Sequence, residues 1–294
     1  MALTSSIKIL VTGANGQLGM EFRQLQNAFP GFEFLFASKE ELPITDDKKV
    51  DQYFSTHLPR FCINCAAYTA VDKAEKERTA AYDVNANAVG ILAAACKKYE
   101  VKFFHISTDY VFAGNATKPY TEADDTAPLN YYGYSKLSGE EKALKEYDQV
   151  MIFRTSWVYS SYGNNFVKTM LRLIAERERI GVVADQYGSP TYAADLANAI
   201  MQIIAKQNFV PGIFHYCNTG IITWHQFAQA IREISRASCK VDAITTADYP
   251  TPAKRPSYSA LDTQKFQQTF HIPIPQWRES LEHCLGILRS HKSS

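Results

Sequence analysis

No apolar run in this 294-residue chain approaches the roughly 18 residues that a membrane-spanning helix requires, so no membrane partner is expected. Charge of one sign is missing too. Lys and Arg number 31 against 30 Asp and Glu, a formal charge of +1, which excludes binding driven by bulk attraction to nucleic acid or an anionic surface. Cysteine is sparse, at six, and Met1–Ser6 is too short and too polar for a signal peptide; the expected compartment is the cytoplasm, with reduced thiols. The seven histidines (His57, His105, His215, His225, His271, His283 and His291) fall at no ligand spacing, so no metal site is expected. Cys62 and Cys65 form a C-x-x-C, but within an apolar strand pattern residues three apart point to opposite faces, which rules out a redox pair or half a zinc site. What is present is 46% hydrophobic and 13% aromatic residues, the composition of a packed globular protein with one large or two smaller domains.

Short apolar runs alternate with helical patterns through the first half. Ile7–Thr12, Phe32–Ala37, residues 61–66, Val101–Ser107 and Val150–Thr155 read as strands. Gln17–Ala28, Asp47–His57, Ala80–Tyr99 and Ser135–Tyr147 read as helices. In the third, Ala88, Ile91, Leu92, Ala95, Cys96 and Tyr99 share one face. This order predicts right-handed β-α-β units in an α/β fold, a doubly wound, Rossmann-like parallel sheet covered on both faces. Beyond residue 155, Phe166–Glu176, Ala193–Ala205 and Trp224–Ser235 read as helices, and Ile180–Ala184 and Gly212–Tyr216 as strands. Residues 245–276 carry five of the twelve prolines and read largely as loop.

The first strand runs into Gly13-Ala14-Asn15-Gly16-Gln17-Leu18-Gly19 and then a helix. Glycine at the turn permits the conformation, glycine at the helix start lets backbone approach a pyrophosphate, and the third lets helix pack on strand. Gly13, Asn15, Gly16, Gln17, Leu18 and Gly19 are therefore candidate dinucleotide contacts. An NAD-selective site places a carboxylate about 20 positions on, at the end of the second strand. Here Ser38 and Lys39 stand there, a hydroxyl and a cation suited to a 2′-phosphate, with Glu40 and Glu41 just beyond. NADPH is favoured, with NADH the alternative. The expected organisation is a dinucleotide-binding domain over 1–155 and a smaller, mainly substrate-binding α/β domain over 156–294, with later segments able to rejoin the first sheet.

Tyr132 and Lys136 are four apart and share one face of a helix. A tyrosine becomes a useful acid or base near neutral pH only where something favours its phenolate, and a neighbouring ammonium does so. Lys136 can also reach a nicotinamide ribose. Tyr131 and Tyr134 have no lysine four residues on. Ser107-Thr108-Asp109 follows a central strand, at the edge where open α/β sheets bind ligands.

With these motifs the chain resembles the extended short-chain dehydrogenase/reductase family, most closely its members that reduce dTDP-linked keto sugars. The resemblance runs from residues 13–19 through 64–75, 107–112, 132–140, 154–159, 163–167 and 185–191 to 255–262. It implies NAD(P)H-dependent reduction of the 4-keto group of dTDP-4-dehydro-6-deoxy-L-mannose to dTDP-L-rhamnose. By the same resemblance Tyr132 donates the proton, Lys136 holds the cofactor ribose and lowers the tyrosine pKa, and Thr108 hydrogen-bonds the oxygen being reduced. Cys65, Ala66 and Ala67 would line the cofactor, Thr108, Asp109 and Trp157 would border the sugar, and Arg255 would meet the substrate diphosphate. Pro43 departs from the family pattern on the adenosine side. Related dehydratases carry Glu after the Ser-Thr-Asp run; Tyr110 stands there instead. A 4-epimerase and a non-catalytic NADP-binding regulatory subunit are the alternative readings. The helices at 80–99 and 135–147 could pair two copies into a homodimer, or simply pack on the sheet.

Overall fold

The structure is a computed structural model that describes residues 6–290; the expectation about a signal peptide concerns Met1–Ser6, and all of that segment but Ser6 lies outside them, as does His291. Strands β1 (Ile7–Thr12), β2 (Phe32–Ala37), β3 (Phe61–Asn64), β4 (Lys102–Thr108) and β5 (Val150–Thr155) form a parallel sheet in the order β5-β4-β3-β1-β2. The strand Gly212–His215 adds to the free edge of β5, also in parallel.

Both faces are covered, and the period-2 geometry of a strand decides which residue goes where. Ile9, Val11, Ile63, Phe104 and Phe153 face one core with helices α1 (Gln17–Leu25) and Ala193–Ala205. The intervening Leu10, Cys62, Phe103 and Ile152 face the other, under α2 (Asp47–His57) and the helix Ala88–Lys98. Cys62 belongs to one core while Cys65 packs against the opposite one, and all six cysteines are unpaired. A third core joins the helices Phe166–Glu176, Trp224–Ser235 and Trp277–Ser290 to the paired strands Arg179–Val183 and Lys240–Ile244. Two segments from beyond residue 155 lie in the first body: Gly212–His215 extends its sheet, and Ala193–Ala205 packs on α1.

Several boundaries differ from expectation for local reasons. Strand β3 stops at Asn64, not residue 66, because the Asn64 side-chain carbonyl accepts the Ala66 N–H at 3.1 Å and turns the chain. The helix expected from Ser135 begins at Tyr131, since the Asn130 side chain caps the Gly133 N–H at 2.9 Å. The helix expected over 80–99 is interrupted by a wide turn at Asp83–Asn87. Asn85 sits in that turn and bonds Tyr68 through both backbone groups and Ser135 through its hydroxyl. The proline-rich stretch contains a helix, Gln264–Phe270. The strand Lys240–Ile244 and helix Trp277–Ser290 were not anticipated; the strand is completed only by pairing with Arg179–Val183.

Candidate active site

A cleft of about 560 Å³ opens at the C-terminal edge of the sheet, between the glycine loop, the end of β4, the Tyr131–Glu146 helix and the third core. It brings together Gly16, Gln17, Leu18, Cys65, Ala67, Thr108, Asp109, Tyr132, Lys136 and Trp157. The chain reverses after Thr108, whose hydroxyl accepts the Tyr110 N–H at 3.2 Å in a single tight turn. Gly133 lets the helix pack against that turn: a Cβ there would stand 2.2 Å from the Tyr110 carbonyl oxygen. The Tyr110 and Tyr132 rings meet edge to face at 5.9 Å, which aims Tyr132 into the cleft. One turn further on, Lys136 is buried, and its Nζ donates to the Ile106 carbonyl at 2.6 Å.

Burial dominates the electrostatics. It lowers Lys136 to about 8, with the Glu140 carboxylate working in the other direction. It raises Tyr132 to about 12, while a hydrogen bond with Thr108 works the other way. At Tyr132 desolvation outweighs that hydrogen bond, and the neighbouring lysine nitrogen is turned to Ile106. Burial also lifts Asp109 to about 7. Its Oδ1 accepts from Thr108 at 3.1 Å, and hydrogen bonds from Ser259 and Thr108 work against the rise.

The glycine loop fits a dinucleotide. Gly13 has φ +65°, and a Cβ there would lie 2.5 Å from the Ala66 nitrogen; Gly16 ends the loop as the α1 N-cap with no side chain bonded to it, so the first helical N–H groups face outward for phosphate. An adjoining cleft of about 500 Å³ continues past Gly13, Asn15, Ser38, Lys39 and Pro43 to Cys65, Ala66 and Ala67. There the Glu41 carboxylate turns back to accept the Ser38 N–H at 2.8 Å, leaving Lys39 exposed at the mouth beside Glu40. Among the described residues no group of three or more His, Cys, Asp or Glu could hold a metal ion.

Trp157, with φ +48°, stacks on Trp224 at 3.6 Å, and both indoles line the cleft. Gly188 makes this possible, since a Cβ there would meet the Trp157 ring at 2.7 Å. The Arg255 guanidinium is bidentate on Asp72 at 2.9 and 2.8 Å, and its charge acts on Tyr110, which lines the cleft. Sequence reasoning also missed Trp224, Asn164 and Asn165, which line the cleft. Asn165 donates to Gln17 at 2.9 Å across 148 positions, a pairing with no local signal.

A parallel sheet with a glycine loop after its first strand, and a Tyr-x-x-x-Lys helix beside a Ser-Thr-Asp edge, defines a short-chain dehydrogenase/reductase of the extended kind. Residues 7–290 match the family model described as the RmlD substrate binding domain. A dTDP-4-dehydrorhamnose reductase of Aggregatibacter actinomycetemcomitans is 42% identical, covering 94% of this chain and 97% of that protein. Two solved structures agree closely. The dTDP-4-dehydrorhamnose reductase of Clostridium acetobutylicum superposes with a TM-score of 0.93 at 40% identity, over 96% of this chain and 100% of that one. That of Bacillus anthracis, solved in complex with NADP, gives 0.92 at 40% identity over 95% and 99%. The chain belongs to the dTDP-4-dehydrorhamnose reductase family.

Proposed function

We propose that this protein reduces the 4-keto group of dTDP-4-dehydro-6-deoxy-L-mannose to give dTDP-L-rhamnose, with NADPH as the favoured reductant. The observation that carries the reading is the convergence of Thr108, Tyr132 and Lys136 on one cleft with the glycine loop. The relative at 42% identity and the two solved structures at 40% are dTDP-4-dehydrorhamnose reductases by name, which favours neither the epimerase nor the regulatory subunit. NADPH fits along Gly13–Gly19, with Ser38 and Lys39 toward the 2′-phosphate and Cys65–Ala67 along the adjoining wall. Bound in this way, its nicotinamide supplies the hydride.

The chain itself supplies the proton and the orientation. Tyr132 gives its phenolic proton to the carbonyl oxygen, which Thr108 holds by a hydrogen bond. A phenol buried to about 12 is a weak acid, so the charge left on it must be stabilised as the proton departs. The Lys136 ammonium does this, and its remaining N–H groups hold the cofactor ribose. Asp109 and Trp157 border the sugar, and residues 156–294 serve mainly the sugar nucleotide. The test is loss of reduced-nicotinamide absorbance on adding the 4-keto sugar nucleotide, with NADPH and NADH in turn. Absence of turnover by the wild-type protein, or undiminished turnover by Tyr132→Phe, would overturn the reading.

A further inference from the structure

Behind Lys136 a chain of buried polar side chains crosses the sheet, and the catalytic reading does not use it. Thr12 on β1, Asn64 on β3 and His105 on β4 are all essentially inaccessible to solvent. The Thr12 hydroxyl lies 2.7 Å from Asn64 Oδ1, and the Ala66 backbone nitrogen lies 3.1 Å from the same atom. A backbone N–H can only donate, so this atom is the amide oxygen and the other is the NH₂ group. That NH₂ lies 3.1 Å from His105 Nδ1 and can only donate to it. His105 Nδ1 must therefore be bare, and the neutral ring carries its proton on Nε2. Protonating Nδ1 would oppose two donors in a buried site. Burial and the Lys136 charge hold His105 well below its ordinary pKa, in accord with a ring that stays neutral.

His105 Nε2 lies 3.5 Å from Lys136 Nζ. A fixed N–H facing an ammonium is a donor facing a donor; facing a neutral amine it meets a lone pair. We propose that Thr12, Asn64 and His105 are positioning residues for Lys136: together they lock His105 as the Nε2–H tautomer, steer the lysine nitrogen onto the Ile106 carbonyl and, by setting a donor against the ammonium, ease its loss of a proton on the alkaline side. The other groups facing Lys136 are Cys65, from the loop after β3, and Glu140 on its own helix. Tyr132 and Asp109 line the same cleft. Glu140 is committed elsewhere, to Arg154 at 2.7 Å and to the Ser107 hydroxyl, and so does not anchor the lysine. The inference rests on the reading of Lys136 as the partner of Tyr132.

The histidine tautomer is read directly from imidazole ¹⁵N shifts in the intact wild-type protein. Nε2–H from about pH 5 to pH 9 is expected; an Nδ1–H ring or a cation in that range overturns the proposal whether or not the protein is a reductase. The second readout is the alkaline limb of kcat/KM with NADPH and the keto sugar nucleotide. His105→Phe should move that limb upward by about one pH unit. Thr12→Val should move it in the same direction by less, and Thr12→Ser, which keeps the hydroxyl, should restore it. A limb unmoved in both His105→Phe and Thr12→Val sinks the proposal while leaving the reductase reading intact. Absence of wild-type turnover sinks that reading and leaves the tautomer to decide this one. Should His105→Phe not fold, the wild-type tautomer and the Thr12 pair still decide.

Discussion

On the sheet side of the cleft, Thr108, Tyr132 and Lys136 stand on elements tied by buried polar bonds: Asn130 caps the helix, Asn85 joins it to Tyr68, and Glu140 binds Arg154 on β5. On the opposite side, Trp157 and Trp224 meet as stacked indoles, with the Trp157 ring against Gly188. Hydrogen bonds are directional and fail within a few tenths of an ångström, whereas an apolar stack tolerates sliding. The wall proposed to move a proton is held by the directional kind, and the wall that would border a sugar by the compliant kind. An aromatic surface can accept a ring without a matched polar partner, while a proton donor must be aimed.

Tyr132→Phe should separate the two walls most sharply. It should cut kcat by about 10²–10⁴ with little change in thermal stability, because it removes the proton donor and leaves the edge contact with Tyr110; a loss confined to KM would show that the donor lies elsewhere. Glu140→Gln tests the polar bracing itself. It leaves buried Arg154 without its carboxylate and should cost about 3–5 kcal/mol in urea unfolding. Trp224→Ala should raise KM for the sugar nucleotide several-fold, an effect of about 1 kcal/mol, with kcat nearly unchanged. An equal fall in kcat would make the aromatic wall part of the chemistry.

Asp109 offers a pH test that belongs to the polar side. Its folded-state pKa, about 7, lies above the ordinary 3.8, so between those values the folded protein binds the extra proton and stability falls as pH rises. Asp109→Asn should therefore raise the melting temperature relative to wild type more at pH 8 than at pH 4; an equal difference at both would show the carboxyl to be ionised throughout. The smallest effect is expected from Arg255→Ala. A part-exposed pair with Asp72 contributes about 0–1 kcal/mol, and kcat/KM should barely move. A large rise in substrate KM would place Arg255 at the diphosphate.

Where the chain signals were local, they sufficed. Strand β1, the Gly13–Gly19 loop and α1 are contiguous, and the alternation of Ile9, Leu10 and Val11 already implies a strand buried on both faces. The Tyr132–Lys136 spacing was readable for the same reason, although the helix start was not, because Asn130 has a turn preference that suits a cap and a loop equally. Illegible were the partnerships over long separations: Asn165 with Gln17, Arg255 with Asp72, and Lys240–Ile244 with Arg179–Val183. Gly188 carries no signal in its own neighbourhood that an indole will rest on it.

The order of apolar runs and glycines along this chain determined a parallel sheet, a glycine loop at a helix start and a tyrosine-lysine pair, since each depends on spacing within one or two consecutive elements. Only the tertiary structure decided the protonation of the site. Burial sets Lys136 at about 8 and Tyr132 at about 12, and it does so through β4, the glycine loop and the third core closing around them. It likewise paired Arg255 with Asp72 across 183 positions. Charge and hydrogen-bonding capacity are written residue by residue, but desolvation is a property of everything packed around a group, and that exists only once the chain has folded.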